Sequence, residues 1–342
     1  METTSLSIRE QYNAAKEANP KSRIRDISRI MGVSEADLVA MNVGEGNTVL
    51  EGDFKEMIKD VTGMGRVMAL TRNDNVVHER KGVYNDVSFQ GMVGLVLDPD
   101  IDLRLFMMNW KFGFAVSEGG RQSLQFFDKS GEAVHKIYMI EDSNMDAYNA
   151  FIEKYKAADQ VSTITTEAYP ADTAELPDSD IDVAAFREGW LNMQDTHEFF
   201  GLMGKYKLKR TQALRLAPEG HVKLVPNDTV RGILEAAAAN QIPVMVFIGS
   251  RGCIQIHTGE VNNLVTTGPW YNVLDPDFNM HLREDAIVSS FIVKKPSVDG
   301  IVTSLEIFDA KGEMIVQFFG KRKPGIPELE SWREIVKNVT GF

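Results

Sequence analysis

His197 stands in WLNMQDTHEFFGLMGKY, residues 190–206, between apolar residues and just ahead of a run of cations. Read as one helix, this stretch puts Trp190, Met193, His197, Phe200, Gly201 and Gly204 on one face. An imidazole on such a face is either a hydrogen-bonded core histidine or a metal ligand. Each glycine inside a helix costs about 1 kcal/mol relative to alanine. Close helix packing is one reason to accept that cost, and close approach of a large flat group is another. Asp195 and Glu198 have capping-box spacing. A helix starting at Asp195 would hold His197 in its first turn, where the dipole favours a neutral, metal-ligating imidazole.

The cations that follow are Lys205, Lys207, Lys209, Arg210 and Arg215, in a segment (199–218) without a carboxylate. Further clusters are Lys321–Arg322–Lys323 and Lys294–Lys295, the latter in the loop-like stretch KKPSVDG. They read either as solvated charge or as a site for carboxylate or phosphate, which the arginine fork suits. IDLRLFMMNW, 101–110, alternates as a strand with Asp102, Arg104, Phe106 and Met108 on one face. His78 and His257 take matching positions near strand ends, which favours a structural role, and His135 and His221 have no supporting neighbours. HExxH, Walker, GxSxG and GxGxxG motifs are absent. One histidine among apolar and cationic groups suits a cofactor that brings its own metal better than a bare ion, which wants three or four protein ligands.

The elements that must position these residues come in two copies. VLDPD occurs at 96–100 and at 273–277, and FDKSGEAV (127–134) reads like FDAKGEMI (308–315). The period of about 180 residues indicates a duplicated domain, not a short-repeat solenoid. The expected organisation is an N-terminal repeat (1–156), an extended acidic linker (157–182) and a C-terminal repeat (183–342) carrying His197. Within each copy, short apolar or alternating segments such as GRVMALTR, MVGLVL, FGFAVS and SLQFF are separated by Gly, Asp and Pro. Helices such as IREQYNAAKEA, TVRGILEAAAA and MDAYNAFIEKY lie towards the ends. The predicted fold class is α+β, a large antiparallel sheet unit in tandem duplication.

A net charge of -12 over 342 residues argues against broad binding to nucleic acid or anionic membrane. The single cysteine, Cys253, excludes an intrachain disulfide framework and a cysteine metal cluster. METTSLSIREQ has no signal-peptide pattern and no apolar run is long enough to span a bilayer, so a cytoplasmic location is expected. RIRDISRIMGVSEADLVAM, 23–41, has the look of a helix–turn–helix with its turn at Gly32-Val33-Ser34. Residues 1–40 are charge-neutral, and a recognition helix SEADLVAM would turn carboxylates towards phosphate, so a ligand-responsive DNA-binding regulator is a remote alternative.

DTHEFFGLMGKYKLKRTQALRLAP (195–218), IPVMVFIGSRGCIQIHTG (242–259), IDLRLF (101–106) and FFGKRKPGIPE (318–328) give the chain its resemblance. Over essentially its full length it resembles the haemin-degrading factor and haem-utilisation family of HemS, ChuS, ShuS, HmuS and PhuS type. The resemblance implies two similar α+β halves and a haem b ligand. His197 would be the axial iron ligand, with His78 an alternative. Arg104 would reach the opposite haem face as the catalytic candidate. Phe106 and Phe200 would line the pocket, Arg210 with Lys295 and Arg322 would contact the propionates, and Gln317 would be a further cofactor-binding residue. Family members often carry tyrosine where this chain has Phe319, so that hydroxyl is missing here. Two roles are implied: reductive ring opening with iron release, needing an external electron donor, or carriage of haem from an inner-membrane importer to a haem oxygenase; a reductase is a further partner the resemblance allows. A homodimer is compatible with either.

Overall fold

The computed structural model of the chain describes residues 7–323 and 325–342. Two compact units emerge. Unit 1 takes in the chain as far as Arg72, with Glu79–Pro170 and Gly249–Gln255; unit 2 takes in Asn73–His78, Ala171–Ile248 and Ile256–Phe342.

Three helices open the first half: α1 (Ile8–Ala18), α2 (Ile24–Met31) and α3 (Glu35–Ala40). They are followed by β1 (Thr48–Leu50), α4 (Phe54–Asp60), β2 (Gly65–Arg72) and β3 (Val76–Val83). A meander of β4 (Val87–Gln90), β5 (Val93–Leu97) and β6 (Asp102–Phe106) comes next, then β7 (Phe112–Glu118), β8 (Arg121–Phe127), β9 (Ala133–Ser143) and α5 (Met145–Tyr155). The second half repeats the plan. Helices α6 (Val183–Leu191), α7 (Glu198–Tyr206) and α8 (Arg210–Arg215) open it, followed by β10 (Val222–Val225), α9 (Thr229–Ala239), β11 (Val244–Gly249) and β12 (Cys253–Gly259). The meander is β13 (Leu264–Thr267), β14 (Trp270–Leu274) and β15 (Phe278–Arg283), and β16 (Ser289–Ser297), β17 (Gly300–Phe308), β18 (Met314–Gly320) and α10 (Glu330–Thr340) complete the half.

Antiparallel runs in the order β1-β7-β8-β9-β2 and β10-β16-β17-β18-β11 are the equivalent five-strand parts of two nine-stranded sheets, which continue as β3-β15-β14-β13 and β12-β6-β5-β4. The predicted α+β class, with large antiparallel sheets and helices at their ends, is what the chain adopts. The duplication extends to register. Ser123 pairs with Tyr138 and Gln125 with Lys136 in β8–β9, as Ser304 pairs with Phe319 and Glu306 with Gln317 in β17–β18. Both hairpins carry a bulge at the same place, after Phe126 and after Ile307. The shared FDxxGE turn explains this. The Asp128 carboxylate accepts from the amides of Ser130 and Glu132, and that of Asp309 from Lys311 and Glu313. Gly131 and Gly312 follow at φ 79° and 74°, a region that favours glycine.

Apolar alternation fills the cores. In unit 1, Val96, Leu103, Leu105, Phe126 and Ile137 are fully buried, with Tyr148 and Phe151 of α5 packed over them. Unit 2 has one core around Val244, Val246, Leu305, Phe318 and Trp332. A second, of Phe186, Trp190, Met193, Phe199, Leu214 and Phe308, lies beneath α6–α8.

Several expectations need correction. α2 and α3 do form a helix–turn–helix, with Gly32 left-handed at φ 69° and Ser34 capping α3. However, Glu35, Ala36, Leu38, Val39 and Ala40 are buried, and the Glu35 carboxylate is held by Arg72 and Lys136. The would-be recognition helix is therefore core and has no face for a groove. β6 ends at Phe106, so Met108 is not on its face but in a 3₁₀ turn, Met107–Asn109, exposed. Lys294 and Lys295 belong to β16, not to a loop; only the hairpin tip beyond Ser297 loops.

The acidic stretch 157–182 has no strand and little helix, yet it is fastened. Gln160 bonds both backbone groups of Val49, and Tyr169 lies under the Arg251 guanidinium at 3.9 Å. Leu176 and Asp178 accept from Gln212. Among the described residues, no helix is long and apolar enough to cross a membrane.

Candidate functional site

The 190–206 stretch is two helices. α6 stops at Leu191, residues 192–197 turn, and α7 starts at Glu198 with His197 as its N-cap residue. Local hydrogen bonds explain the break. The Asp195 carboxylate accepts from the His197 amide at 2.8 Å, and Glu198 Oε2 accepts from the Gln194 amide at 3.1 Å. The capping box that the Asp195–Glu198 spacing implied is therefore not formed: each carboxylate binds a different amide, and the helix begins three residues later than Asp195, with His197 as an N-cap that makes no side-chain cap bond. Trp190, Met193 and Phe199 point into the core below, with the Trp190 and Phe199 rings edge-to-face at 4.9 Å.

His197 is not a core histidine: its side chain is 81% exposed. Nδ1 lies 2.6 Å from Asp195 Oδ1, which leaves Nε2 outward with its lone pair when Nδ1 carries the proton. This is the carboxylate–imidazole arrangement that fixes ring orientation and raises basicity in metal-ligating histidines. The amide of His197 holds the Asp195 carboxyl below its ordinary range against a smaller opposing effect of burial, with the imidazole adding to it.

The exposed face of α7 continues from His197 through Phe200, 61% exposed, to Gly201 and Gly204. A Cβ added at either glycine would meet nothing within 4 Å. By contrast, a Cβ at Gly189 of α6 would meet Leu202 at 2.5 Å, and one at Gly232 of α9 would meet Val339 at 3.1 Å. Internal packing accounts for those two glycines and not for the pair on α7.

Arg210, Lys295 and Gln317 are brought together by a residue that sequence reasoning missed. Glu306, fully buried on β17, accepts from Arg210 Nε at 2.8 Å and Nη2 at 2.9 Å, and from Lys295 Nζ at 2.6 Å. Gln317 is its cross-strand partner. Burial pushes the Glu306 carboxyl up, but Arg210 and Lys295 outweigh that and hold it well below the carboxylate range. Burial pushes Lys295 down to about 8 despite Glu306, and Arg210 adds to the lowering. With both bases protonated the cluster has one positive charge in excess. The Arg210 guanidinium also lies 5.3 Å from the Phe199 ring and 5.6 Å from that of Phe200, which links the cluster to the α7 face. The signal in the sequence was a lone acid in the apolar strand IVTSLEIF, where an unpaired charge is untenable.

Arg322 reaches the histidine turn itself, donating from Nη2 to Thr196 Oγ1 at 3.0 Å. In unit 1, Arg104 lies opposite Leu95 and Phe106 opposite Val93, on an outward face of β5–β6 that leaves Val93 and Leu97 about two-fifths exposed. Arg104 pairs with Asp102 on the same face. Burial raises the Asp102 carboxyl, and Arg104 opposes this only in part. His78 is fully buried in unit 2, its ring edge-on to Phe278 at 5.0 Å, while His257 stacks on Phe278 at 3.7 Å. No cluster of three or more His, Cys, Asp or Glu positioned for a bare metal ion occurs among the described residues.

The chain thus combines a duplicated antiparallel α+β unit, an exposed imidazole on α7 and a buried cationic cluster that reaches the same helix through Phe199 and Phe200. The family model described as "Haemin-degrading HemS.ChuX domain" matches the chain twice, at residues 32–155 and 207–339. The chain belongs to this HemS family. It is 37% identical over 338 residues to "Hemin transport protein HmuS" of Yersinia pestis, covering 97% of both chains. It superposes on holo-PhuS, described as a heme-binding protein from Pseudomonas aeruginosa, with a TM-score of 0.94 at 44% identity, covering 97% of this chain and 99% of that one. ChuS, described as an E. coli heme oxygenase, gives a TM-score of 0.88 at 32% identity, covering 96% and 99%.

Proposed function

We propose that this chain is a haem-binding protein of haem-iron utilisation that takes haem b on the open face of α7, with His197 Nε2 as the axial donor. The observation that carries this reading is the exposed imidazole of His197, oriented by Asp195 and standing over two glycines with empty space above them. Haem is flat, apolar across its faces and anionic at one edge. Phe200 and the glycine positions suit its face. Arg210, Lys295 and Arg322 suit its propionates, the first two through the excess charge they keep after pairing with Glu306, and Gln317, cross-strand from Glu306, is a further candidate contact.

The reaction we infer is ring opening with release of iron, with dioxygen and an external electron donor as co-reactants. His197 holds the substrate by its iron. Arg104 is our candidate for the donor of hydrogen bonds to oxygen, and Phe106 for an apolar neighbour. The exposure of His197 favours a second reading, a carrier between an importer and an oxygenase, because an axial ligand at the surface can be exchanged without unfolding the site.

Titration of the apoprotein with ferric haem, beside His197→Ala, tests the site: a saturable Soret shift near one haem per chain is expected, weakened or altered in the variant. A single-turnover reaction with catalase present then separates the readings. Stoichiometric open-chain tetrapyrrole supports degradation; intact haem moving to an acceptor oxygenase supports carriage.

A further inference from the structure

The turn that carries His197 is stitched to two other segments. Val298 at the β16–β17 tip donates to the Gln194 carbonyl at 2.9 Å, and the neighbouring Asp299 carboxylate accepts from the Gly325 amide at 3.0 Å. Arg322 of the same 321–328 segment donates to Thr196. The far end of that segment is held by a buried acid, Glu328, 4% exposed. Both Glu328 oxygens accept from the Thr303 amide, at 3.0 and 3.2 Å. The adjoining Leu329 amide closes the segment on the Lys321 carbonyl at 3.3 Å.

We propose that Glu328 is a positioning residue for the anion-binding side of the His197 site: its ionised carboxylate anchors the 321–328 segment that presents Arg322, so protonation of Glu328 weakens the hold on an anionic tetrapyrrole. This rests on the haem-binding reading above. A carboxylate accepts with both oxygens, whereas a carboxylic acid must turn one of them into a donor, and an amide cannot accept that proton. The groups facing Glu328 are the Thr303 amide from β17, the Gly320 amide from β18, Arg333 from α10 at 3.9 Å, and Arg322 from its own segment. Arg333 divides its charge with Glu330. Burial pushes the Glu328 carboxyl up to about 7, against those four partners, so the change falls near neutrality.

If only the ionised form presents Arg322 correctly, the competent fraction rises from roughly a tenth at pH 6 to nine-tenths at pH 8, and apparent affinity rises about tenfold. The experiment is a Soret titration of the full chain with ferric haem at pH 6 and pH 8, for wild type, Glu328→Gln and Arg322→Ala. Affinities are compared as ratios to wild type, so that titration of haem itself cancels. Glu328→Gln, permanently neutral, is expected to bind more weakly than wild type at both values, and the ratio of the two affinities to widen about tenfold between pH 6 and pH 8. Arg322→Ala should be weak at both values with no Glu328-dependent step. Parallel profiles for wild type and Glu328→Gln overturn the proposal while leaving the haem site standing. Absence of a His197-dependent Soret shift in the wild type overturns the haem-binding reading instead. Should Glu328→Gln not fold, the Arg322→Ala profile decides: a tenfold pH step retained without Arg322 overturns the proposal.

Discussion

Replacing Gly201 and Gly204 of α7 by alanine should move stability and ligand affinity in opposite directions. In the apoprotein both added methyl groups enter open space, so no contact term opposes the gain in helix propensity. That gain is about 1 kcal/mol per site. On a protein of this size each substitution should raise Tm by roughly 2 °C. If the ligand lies flat on this face, the same methyl groups hold it off. Overpacking of this kind costs about 1–3 kcal/mol, a loss of roughly 5- to 150-fold in affinity for ferric haem. The assay pairs thermal unfolding of the apoprotein with Soret titration. Gly189→Ala is the control, since its methyl meets Leu202 at 2.5 Å and stability should fall. A rise in Tm with unchanged affinity in both α7 variants would refute the placement of the ligand on α7.

Glu306→Gln should destabilise unit 2 by about 3 kcal/mol by leaving Arg210 and Lys295 buried without a counter-charge, and urea unfolding reads this. The same variant should bind ferric haem no more weakly than wild type, whereas Arg210→Ala, which leaves Lys295 and Glu306 cancelling, should bind it more weakly. His135 is buried, hydrogen-bonded to Tyr84 and Thr71, and pushed by burial down to about 3 from 6.5. Its depressed pKa means that the stability it contributes is complete above pH 6.5 and is lost as pH falls towards 3, by up to about 5 kcal/mol. Acid unfolding followed by near-ultraviolet circular dichroism should show this slope, and His135→Gln should lack it. Lys207 ends α7 with a positive φ of 55°, so Lys207→Gly should raise the urea midpoint by an amount equivalent to about 1 kcal/mol.

Sequence and structure agree where a feature is local. α1, α5 and α9 cover the residues that their apolar spacing marks, and the two FDxxGE turns follow from an aspartate capping its own loop beside a glycine. The repeats were legible because their turn residues are dictated by backbone geometry. What was not legible depends on partners far along the chain. Glu306 is 96 residues from Arg210, and nothing near either of them announces the other. The break at 192–197 competes with a helical pattern that continues through it, and it is settled by Asp195 and Glu198 binding backbone amides. The apparent recognition helix has surface-like charge in its sequence, but Glu35 meets Arg72 and Lys136 in the interior.

The third helix of each half begins on a charged residue, and the charges have opposite sign. Glu35 opens α3 and meets bases on β2 and β9; Arg210 opens α8 and meets the acid on β17. Each helix therefore has an address. Exchanged between halves, the arginine would be driven against Arg72 and Lys136, and the glutamate against Glu306. Like charges buried together are worth several kcal/mol of mispairing. In a chain made of two look-alike halves, this inversion of sign disfavours docking of either half's third helix on the other half's sheet.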